Sequence, residues 1–299
     1  MRINYFPAGS TDFASSRLRV WKVATALRAM GHTVTFNSYN SSDCDVVVYQ
    51  KVWPQDGSMK MFKAAGKRII FDIDDLISTP IPAEVDQITV DTESKLAHFP
   101  GAIVIPDCLD TEPTSPRKKV HADNLNSAVW VGNTQNMYHL CYAARACRTL
   151  GINLTIITDL NNPHFSEQTD QLPKEGWNAQ QWSADTVDQL MVEHDMAIFP
   201  FVFGSPQWSV NWVMTKSANR LLKAYGLGLP VVGTPIPSYQ EIGLFWMAET
   251  TEQWCAALSS ANDKTLRESD AELGWVAAQQ FTADKVALKW IKVLAGFKP

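Results

Sequence analysis

No stretch of the 299-residue chain approaches 18 uncharged apolar residues, so no segment reads as a membrane span. The opening MRINYFPAGS lacks the apolar run of a signal peptide. The five cysteines, Cys44, Cys108, Cys141, Cys147 and Cys255, are scattered and odd in number, and none forms a C-x-x-C pair. That argues against a zinc site or a disulfide framework and for a reduced, cytoplasmic chain. There is no G-x-G-x-x-G after a strand, hence no dinucleotide fingerprint, and no repeat of fixed period. An excess of positive charge is missing too. Basic and acidic residues number 14 and 15 through Asn126, then 12 and 16 beyond it, for a net charge of −5. A general nucleic-acid binder does not fit, and any DNA contact would need a local patch.

What is present is an ordinary globular composition, 45% hydrophobic and 19% charged, long enough for one large or two medium domains. The stretch from Thr215 to Glu241 is the most informative. A helix is expected over 215–226, with Leu221, Leu222 and Tyr225 on its apolar face and Lys216, Arg220 and Lys223 on the polar one. Gly226 and Gly228 would stop it. Pro230, Val231 and Val232 start a strand too apolar to face water, and Ser238 can cap a following helix. Parallel sheets bind ligands outside the carboxyl ends of their strands, here at Gly233-Thr234-Pro235. The helix N-terminus, with Lys216 beside it, can face an anion. A plain buried αβ unit with a solvated basic face explains the same residues equally well.

The chain opens with a strand at Arg2–Phe6, a small-residue loop at 7–13, a helix over about 15–30 burying Leu18, Trp21, Val23, Ala24 and Leu27, and a strand at Thr33–Phe36. This β-loop-α-β start is doubly wound. Ser15, Ser16, Arg17 and Arg19 at the helix start suit a diphosphate, or else form a capped helix with solvated arginines. His32 reads as a turn residue. Strands at 45–49 and 68–71, separated by a helix at 59–65, lead into Gln50-Lys51 and Asp72-Ile73-Asp74-Asp75. The carboxylates allow three readings. They could hold a divalent metal on a diphosphate. They could start a phosphatase motif D-x-D-x-T, although Leu76 stands at the Thr position. Or they could cap a helix and pair with arginine. A helix at 90–99 and a strand at 102–105 precede 106–126, where Pro, Asp, Thr and Lys mark a linker. A second α/β domain follows: strands at 127–131, 153–158 and 196–199, helices at 137–150 and 185–192, and an irregular 160–180. His139 reads as a surface or packing residue. Trp182, Phe201, Phe203, Trp208 and Trp212 are aromatic residues near these strand ends, a type found more often in a core than against a ligand. Helices over 251–260, 265–280 and 284–294 close the chain.

Ala224–Val232, AYGLGLPVV, matches the A-x-x-x-G-x-P-V-V phrase of the "glycosyl transferases group 1", and the strand-Q-K, strand-D-I-D-D succession at 45–75 recurs there, as does G-H-x-V at 31–34. In these patches the chain resembles the GT-B nucleotide-sugar glycosyltransferases. The resemblance implies an α/β fold of two doubly wound Rossmann-like domains facing a cleft. It places an acceptor-side domain at 1–115, a nucleotide-sugar-binding domain at 116–280 and a C-terminal helix at 281–299 packing back on the first. The implied activity is transfer of a hexosyl or pentosyl group from a nucleotide-diphosphate sugar to a hydroxyl acceptor, with no cofactor and no metal required. The acceptor would be a glycan, a small molecule or a modified DNA base. Ser16, Arg17, Arg19, Gly132, Asn133, Thr134, Lys216, Asn219, Arg220 and Lys223 would bind the donor, and Phe201 and Trp182 would stack on its base. Asp72, Asp74 or Asp75 would orient or deprotonate the acceptor. Three positions depart from the family pattern. Lys223 stands where an acidic residue holds the donor ribose, Thr215 stands near that residue's earlier acidic partner, and Asn133 stands where Gly-Arg is usual. Two other readings remain: a phage-type transferase acting on a hydroxymethylated base in DNA, and a non-catalytic sugar-nucleotide binder.

Overall fold

A computed structural model describes residues 1–54, 56–76, 80–204 and 209–296. The chain divides into two units. Unit 1 comprises Met1–Leu109, Thr215–Ser217 and Phe281–Pro299, and unit 2 comprises Asp110–Met214 and Ala218–Gln280. Each is built on its own six-stranded sheet, and among the described residues no sheet runs through both.

Unit 1 contains strands β1 (Arg2–Phe6), β2 (Thr33–Phe36), β3 (Val46–Gln50), β4 (Arg68–Ile73), β5 (Gln87–Val90) and β6 (Ile103–Val104), in the order β2-β1-β3-β4-β5-β6. All neighbours are parallel. The central β3, VVVYQ, is buried along its whole length, as expected for a strand covered on both faces. One core cluster gathers Ile3, Tyr5, Leu18, Val23 and Leu27 with Val286, Trp290 and Val293 of the helix Ala283–Leu294. The other gathers Phe6, Val47, Tyr49, Phe62 and Phe71. The chain reverses its winding between β1 and β3, which pair at Ile3↔Val46, and ligands of doubly wound sheets bind at such a point.

Two elements of unit 1 differ from expectation. The first helix, Ala14–Ala29 overall, contains a π turn at Arg17–Trp21. Leu18, Arg19 and Val20 are consecutive and all buried, which one face of a regular helix cannot achieve, and the wider turn accommodates them. The segment 90–99 is not one helix. Gln87–Val90 is strand β5, and a short 3-10 helix covers Glu93–Ala97.

Unit 2 contains β7 (Ser127–Val131), β8 (Asn153–Thr158), β9 (Trp177–Gln181), β10 (Met196–Phe199), β11 (Val231–Gly233) and β12 (Trp246–Met247), ordered β12-β11-β10-β7-β8-β9 and again parallel throughout. Its reversal lies between β7 and β10, which pair at Met196↔Ala128. Gly274, in the helix Lys264–Ala278, admits the Tyr225 ring of the helix Asn219–Gly226. A Cβ there would sit 2.2 Å from Tyr225 Cδ1.

Here too the structure corrects local detail. The segment 160–180 holds a helix, Phe165–Thr169, and the start of edge strand β9, whose polar sequence WNAQQ hides its pairing with β8. Ser238 lies inside the helix Pro237–Ile242, which Ile236 precedes and Pro237 starts, so Ser238 is not its cap. The helix expected over 215–226 begins only at Asn219, with Ala218 as N-cap. Lys216 therefore stands outside it. A second cation in a first turn, where the dipole is already positive, is thereby avoided.

Candidate functional site

The carboxyl ends of β1, β3 and β4 bring together most of the residues singled out in unit 1. Ser16 is fully buried, its Oγ donating to Gln50 Oε1 at 2.8 Å and accepting from the Gly9 N–H at 3.0 Å. The Ala8 N–H donates to the same Gln50 oxygen at 2.9 Å. Gln50 thus ties the loop after β1 to the end of β3, and Ser16 is spent on that tie. Arg19, 1% exposed, forks onto Asp72 with Nε–Oδ2 at 2.7 Å and Nη2–Oδ1 at 2.6 Å, and reaches Asp107 and the Ile105 carbonyl through Nη1. Thr89 Oγ1 donates to Asp72 Oδ1 at 2.7 Å. Arg19 therefore does not reach out to a diphosphate, and Asp72 offers neither a nucleophile for phosphatase chemistry nor a base. Bidentate pairing satisfies both ions at their burial depth. Arg17 Nη1 donates to the carbonyl of Thr11 at 2.8 Å.

The two following carboxylates are held differently. Lys51 has a left-handed backbone, φ 60°, and lies against both, 3.3 Å from Asp74 Oδ1 and 2.5 Å from Asp75 Oδ2. Lys216 Nζ donates to Asp75 Oδ1 at 3.0 Å. Although burial opposes ionisation, the Lys216 and Lys51 ammonium groups hold Asp75 below the usual carboxylate range. Asp74 is the carboxylate with spare capacity: its side chain is 8% exposed and its buried Oδ1 accepts no hydrogen bond. Next along the sheet Asp91, directly after β5, pairs with Lys95 inside the unit. Burial pushes Asp91 up to about 7, Lys95 and Arg19 pulling down and Asp107 and Asp74 pushing up. Among the described residues no group of three His, Cys, Asp or Glu side chains could hold a metal ion.

In unit 2 the switch point between β7 and β10 collects a different set. Gly132, just past β7, lies under the Trp130 indole, and a Cβ there would come within 2.7 Å of the ring. Asn133 is exposed and its Oδ1 accepts from the Gln135 N–H at 2.9 Å, leaving its amide N–H₂ to solvent. Thr134 is buried, with Oγ1 donating to the Asp159 carbonyl at 2.9 Å, so it serves the fold. His139 Nδ1 accepts from the Val202 N–H at 3.0 Å, and its ring meets Phe201 edge-on at 5.2 Å. This fully buried histidine packs inside the unit and is no surface residue. Phe201 is 3% exposed among His139, Tyr239 and Arg220, so it has no open face for a base. Trp182 follows edge strand β9, its backbone N–H donating to the Thr158 carbonyl at 2.8 Å. Trp208 lies outside the described residues.

Arg220 sits in the first turn of the Asn219–Gly226 helix, its guanidinium carbon 4.9, 5.5 and 5.9 Å from the ring centres of Phe201, Phe199 and Trp130. Its Nη1 and the Trp130 Nε1 are buried donors with no acceptor. Asn219 stands beside it at the helix start, and the N-cap Ala218 has no side chain able to cap the first N–H groups. Lys223, one turn on, is 7% exposed and lies 2.5 Å from Asp188 Oδ1 and 3.6 Å from Asp110 Oδ2. It is neutralised there, not presented to a donor. The departure at 223 is thus answered by an acid on another element, the helix Val187–Val192.

No protein-family model and no curated protein matches the chain. Solved structures do. The chain superposes on AviGT4, a glycosyltransferase involved in avilamycin A biosynthesis, with a TM-score of 0.67 at 15% identity, covering 99% of each chain. The DNA-modifying enzyme beta-glucosyltransferase matches at TM-score 0.62 and 10% identity, over 99% of this chain and 100% of that one. MurG of Acinetobacter baumannii matches at 0.55 and 11%, over 99% of both. The fold is GT-B. The α/β class and the GT-B reading made from AYGLGLPVV and the Q-K and D-I-D-D phrases agree with these matches. At such identities the GT-B likeness concerns the fold. The residues within it that sequence reasoning did not single out are Lys51 as an ion-pair centre, the Asp91–Lys95 pair, and Trp130. The positive φ at Lys51 leaves no trace in a single sequence, and the strand SAVWV announces that Trp130 is buried but not that its Nε1 finds no acceptor.

Proposed function

We propose that the chain is a glycosyltransferase taking a sugar from a nucleotide-diphosphate donor to a hydroxyl acceptor. The observation that carries this is the pair of buried, acceptorless donors at the β7–β10 switch point, Arg220 Nη1 and Trp130 Nε1, beside an uncapped helix N-terminus. Buried donors without partners are rare in native structures and call for a ligand or water to explain them. Backbone N–H groups, a positive dipole end and a guanidinium together suit a diphosphate. As the glycosidic bond breaks, negative charge grows on the leaving diphosphate, and donors already in place stabilise it without reorganisation. Asn219 and the Asn133 amide add neutral hydrogen bonds to the same ligand. Among the structural neighbours, TarM is known in complex with UDP and T4 phage BGT in complex with UDP-glucose, which supports a donor of this class.

On the acceptor side, Asp74 is the carboxylate to receive the hydroxyl proton, since Asp72 and Asp75 are already engaged by Arg19 and by Lys51 with Lys216. Lys51 lies beside it, 3.3 Å from its Oδ1. The test is a thermal-shift screen against UDP-, GDP-, ADP- and CMP-sugars, followed by donor turnover. A stabilising ligand raises the melting temperature, and Arg220→Ala should abolish the shift. No shift with any nucleotide sugar would sink the proposal, and a shift without turnover under any condition would leave a sugar-nucleotide binder.

The likeness to the DNA-modifying beta-glucosyltransferase favours a second reading, transfer to a hydroxymethylated base. Binding to duplex DNA that falls steeply with salt would support it.

A further inference from the structure

Three aromatic rings among the described residues stand well exposed: Phe13 at 48%, Tyr39 at 56% and Phe245 at 59%. Two of them, Phe13 and Tyr39, lie on loops after β1 and β2, at the same sheet end as Lys51, Asp74 and Asp75. Neither ring is loose. The Phe13 N–H donates to the Ser10 carbonyl at 3.2 Å, and its own carbonyl accepts from the Arg17 N–H at 2.9 Å. Its ring rests on Gly9, where a Cβ would meet Phe13 Cβ at 2.8 Å, and the Lys51 ammonium lies 5.4 Å from its centre. Tyr39 meets Phe6 edge-on at 5.4 Å, and its phenol is bonded to Asp56, which pushes its ionisation up. A half-exposed aromatic ring fixed in position at a ligand-binding sheet end has a face to offer and little entropy to lose.

The charges around it narrow what can lie on that face. The loops at this end contribute Asp12, Asp56, Asp74 and Asp75. Their cations are engaged, Lys51 by Asp74 and Asp75 and Lys216 by Asp75. Arg17 at the helix start is turned back onto the Thr11 and Asp12 carbonyls. A phosphodiester backbone needs several uncommitted cations, and the described residues of these loops do not supply them. A neutral ring with an apolar C–H face and hydroxyl edges meets both conditions: the face lies on Phe13 and the hydroxyls reach the carboxylates.

We infer that the acceptor is a neutral saccharide whose ring stacks on Phe13 while one hydroxyl approaches Asp74. This rests on the transferase reading above and chooses within it, between carbohydrate and DNA.

The experiment uses the full chain in two parallel measurements. Saturation-transfer NMR without donor probes methyl β-glucoside, methyl β-galactoside and maltose, with a hydroxymethylcytosine-containing duplex as the competing probe. Thermal shift with the nucleotide sugars runs on the same samples. The expected result is transfer to at least one neutral saccharide, an affinity reduced about tenfold in Phe13→Ala and largely kept in Phe13→Trp, and donor shifts unchanged in both variants. Tyr39→Ala serves as a second variant should Phe13→Ala not fold. Donor binding with no saccharide binding, or saccharide binding indifferent to both ring removals, overturns this inference and spares the transferase reading. Saccharide binding without any donor shift does the reverse. Preferred, salt-sensitive binding of the duplex overturns the carbohydrate assignment.

Discussion

Both sheets are six-stranded and parallel, ordered 2-1-3-4-5-6 in unit 1 and, counting its own strands, 3-2-1-4-5-6 in unit 2, and their carboxyl ends are opposites. In unit 1 every strong charge singled out there is answered from within: Arg19 by Asp72 and Asp107, Lys95 by Asp91, Lys51 and Lys216 by Asp74 and Asp75. In unit 2 the cation at the switch point, Arg220, is surrounded by aromatic rings and finds no carboxylate among the described residues. The same residue type thus plays contrary parts. A guanidinium that is forked and sealed holds a unit together, because removing either partner leaves a charge buried in low dielectric. One left with a vacant N–H in an apolar cage costs stability until something anionic arrives, which is the arrangement of a site.

The comparison breaks first at its strongest contact. Asp72→Ala should strip Arg19 of its fork and cost about 3–5 kcal/mol of folding stability, read as the shift of a denaturant midpoint. A loss under about 1 kcal/mol would mean that the network is not structural. Arg220→Ala should act oppositely, lowering donor affinity about tenfold or more while leaving the midpoint unchanged or raised. A pH titration of stability sharpens the contrast within unit 1. Asp91 is raised in the folded state to about 7 by burial, so its contribution is complete below the unfolded value and lost as pH rises through about 7. Wild type should therefore lose more stability between roughly pH 4 and pH 7 than Asp91→Asn does. Equal slopes would show that Asp91 does not carry the proton. Lys216→Ala should have a small effect, at most about 1 kcal/mol, because the pair with Asp75 is partly solvated, and it should leave donor affinity in place. The smallest effect is expected from EDTA, which should leave donor turnover nearly intact if the switch-point donors carry the diphosphate. Full loss restored by Mn²⁺ would move Asp74 and Asp75 toward metal ligation.

Much of the scaffold was readable in one sequence because buried parallel strands are local apolar runs between glycine and proline turns. VVVYQ, SAVWV and NLTIIT announce themselves, and so do the loops at their carboxyl ends. Strand β9 did not, since an edge strand needs no apolar face, and neither did the π turn that draws Arg19 inward. The site was legible as a neighbourhood but not as a set of roles. Gly132, Asn133, Asn219 and Arg220 do collect at one sheet end, whereas Ser16, Arg19, Thr134 and Lys223 proved to be bonded within the fold.

Sequence by itself determined where the strands end, hence which residues stand at the ligand-binding ends, because hydrophobic period and turn chemistry act over a few residues. Only the tertiary structure decided which of those residues are free to act. Arg19 meets Asp72 across 53 positions and Lys216 meets Asp75 across 141. The sign and reach of a charged side chain are written in the sequence, but its partner is chosen by how distant segments pack, and a charge that has found its partner no longer needs a ligand.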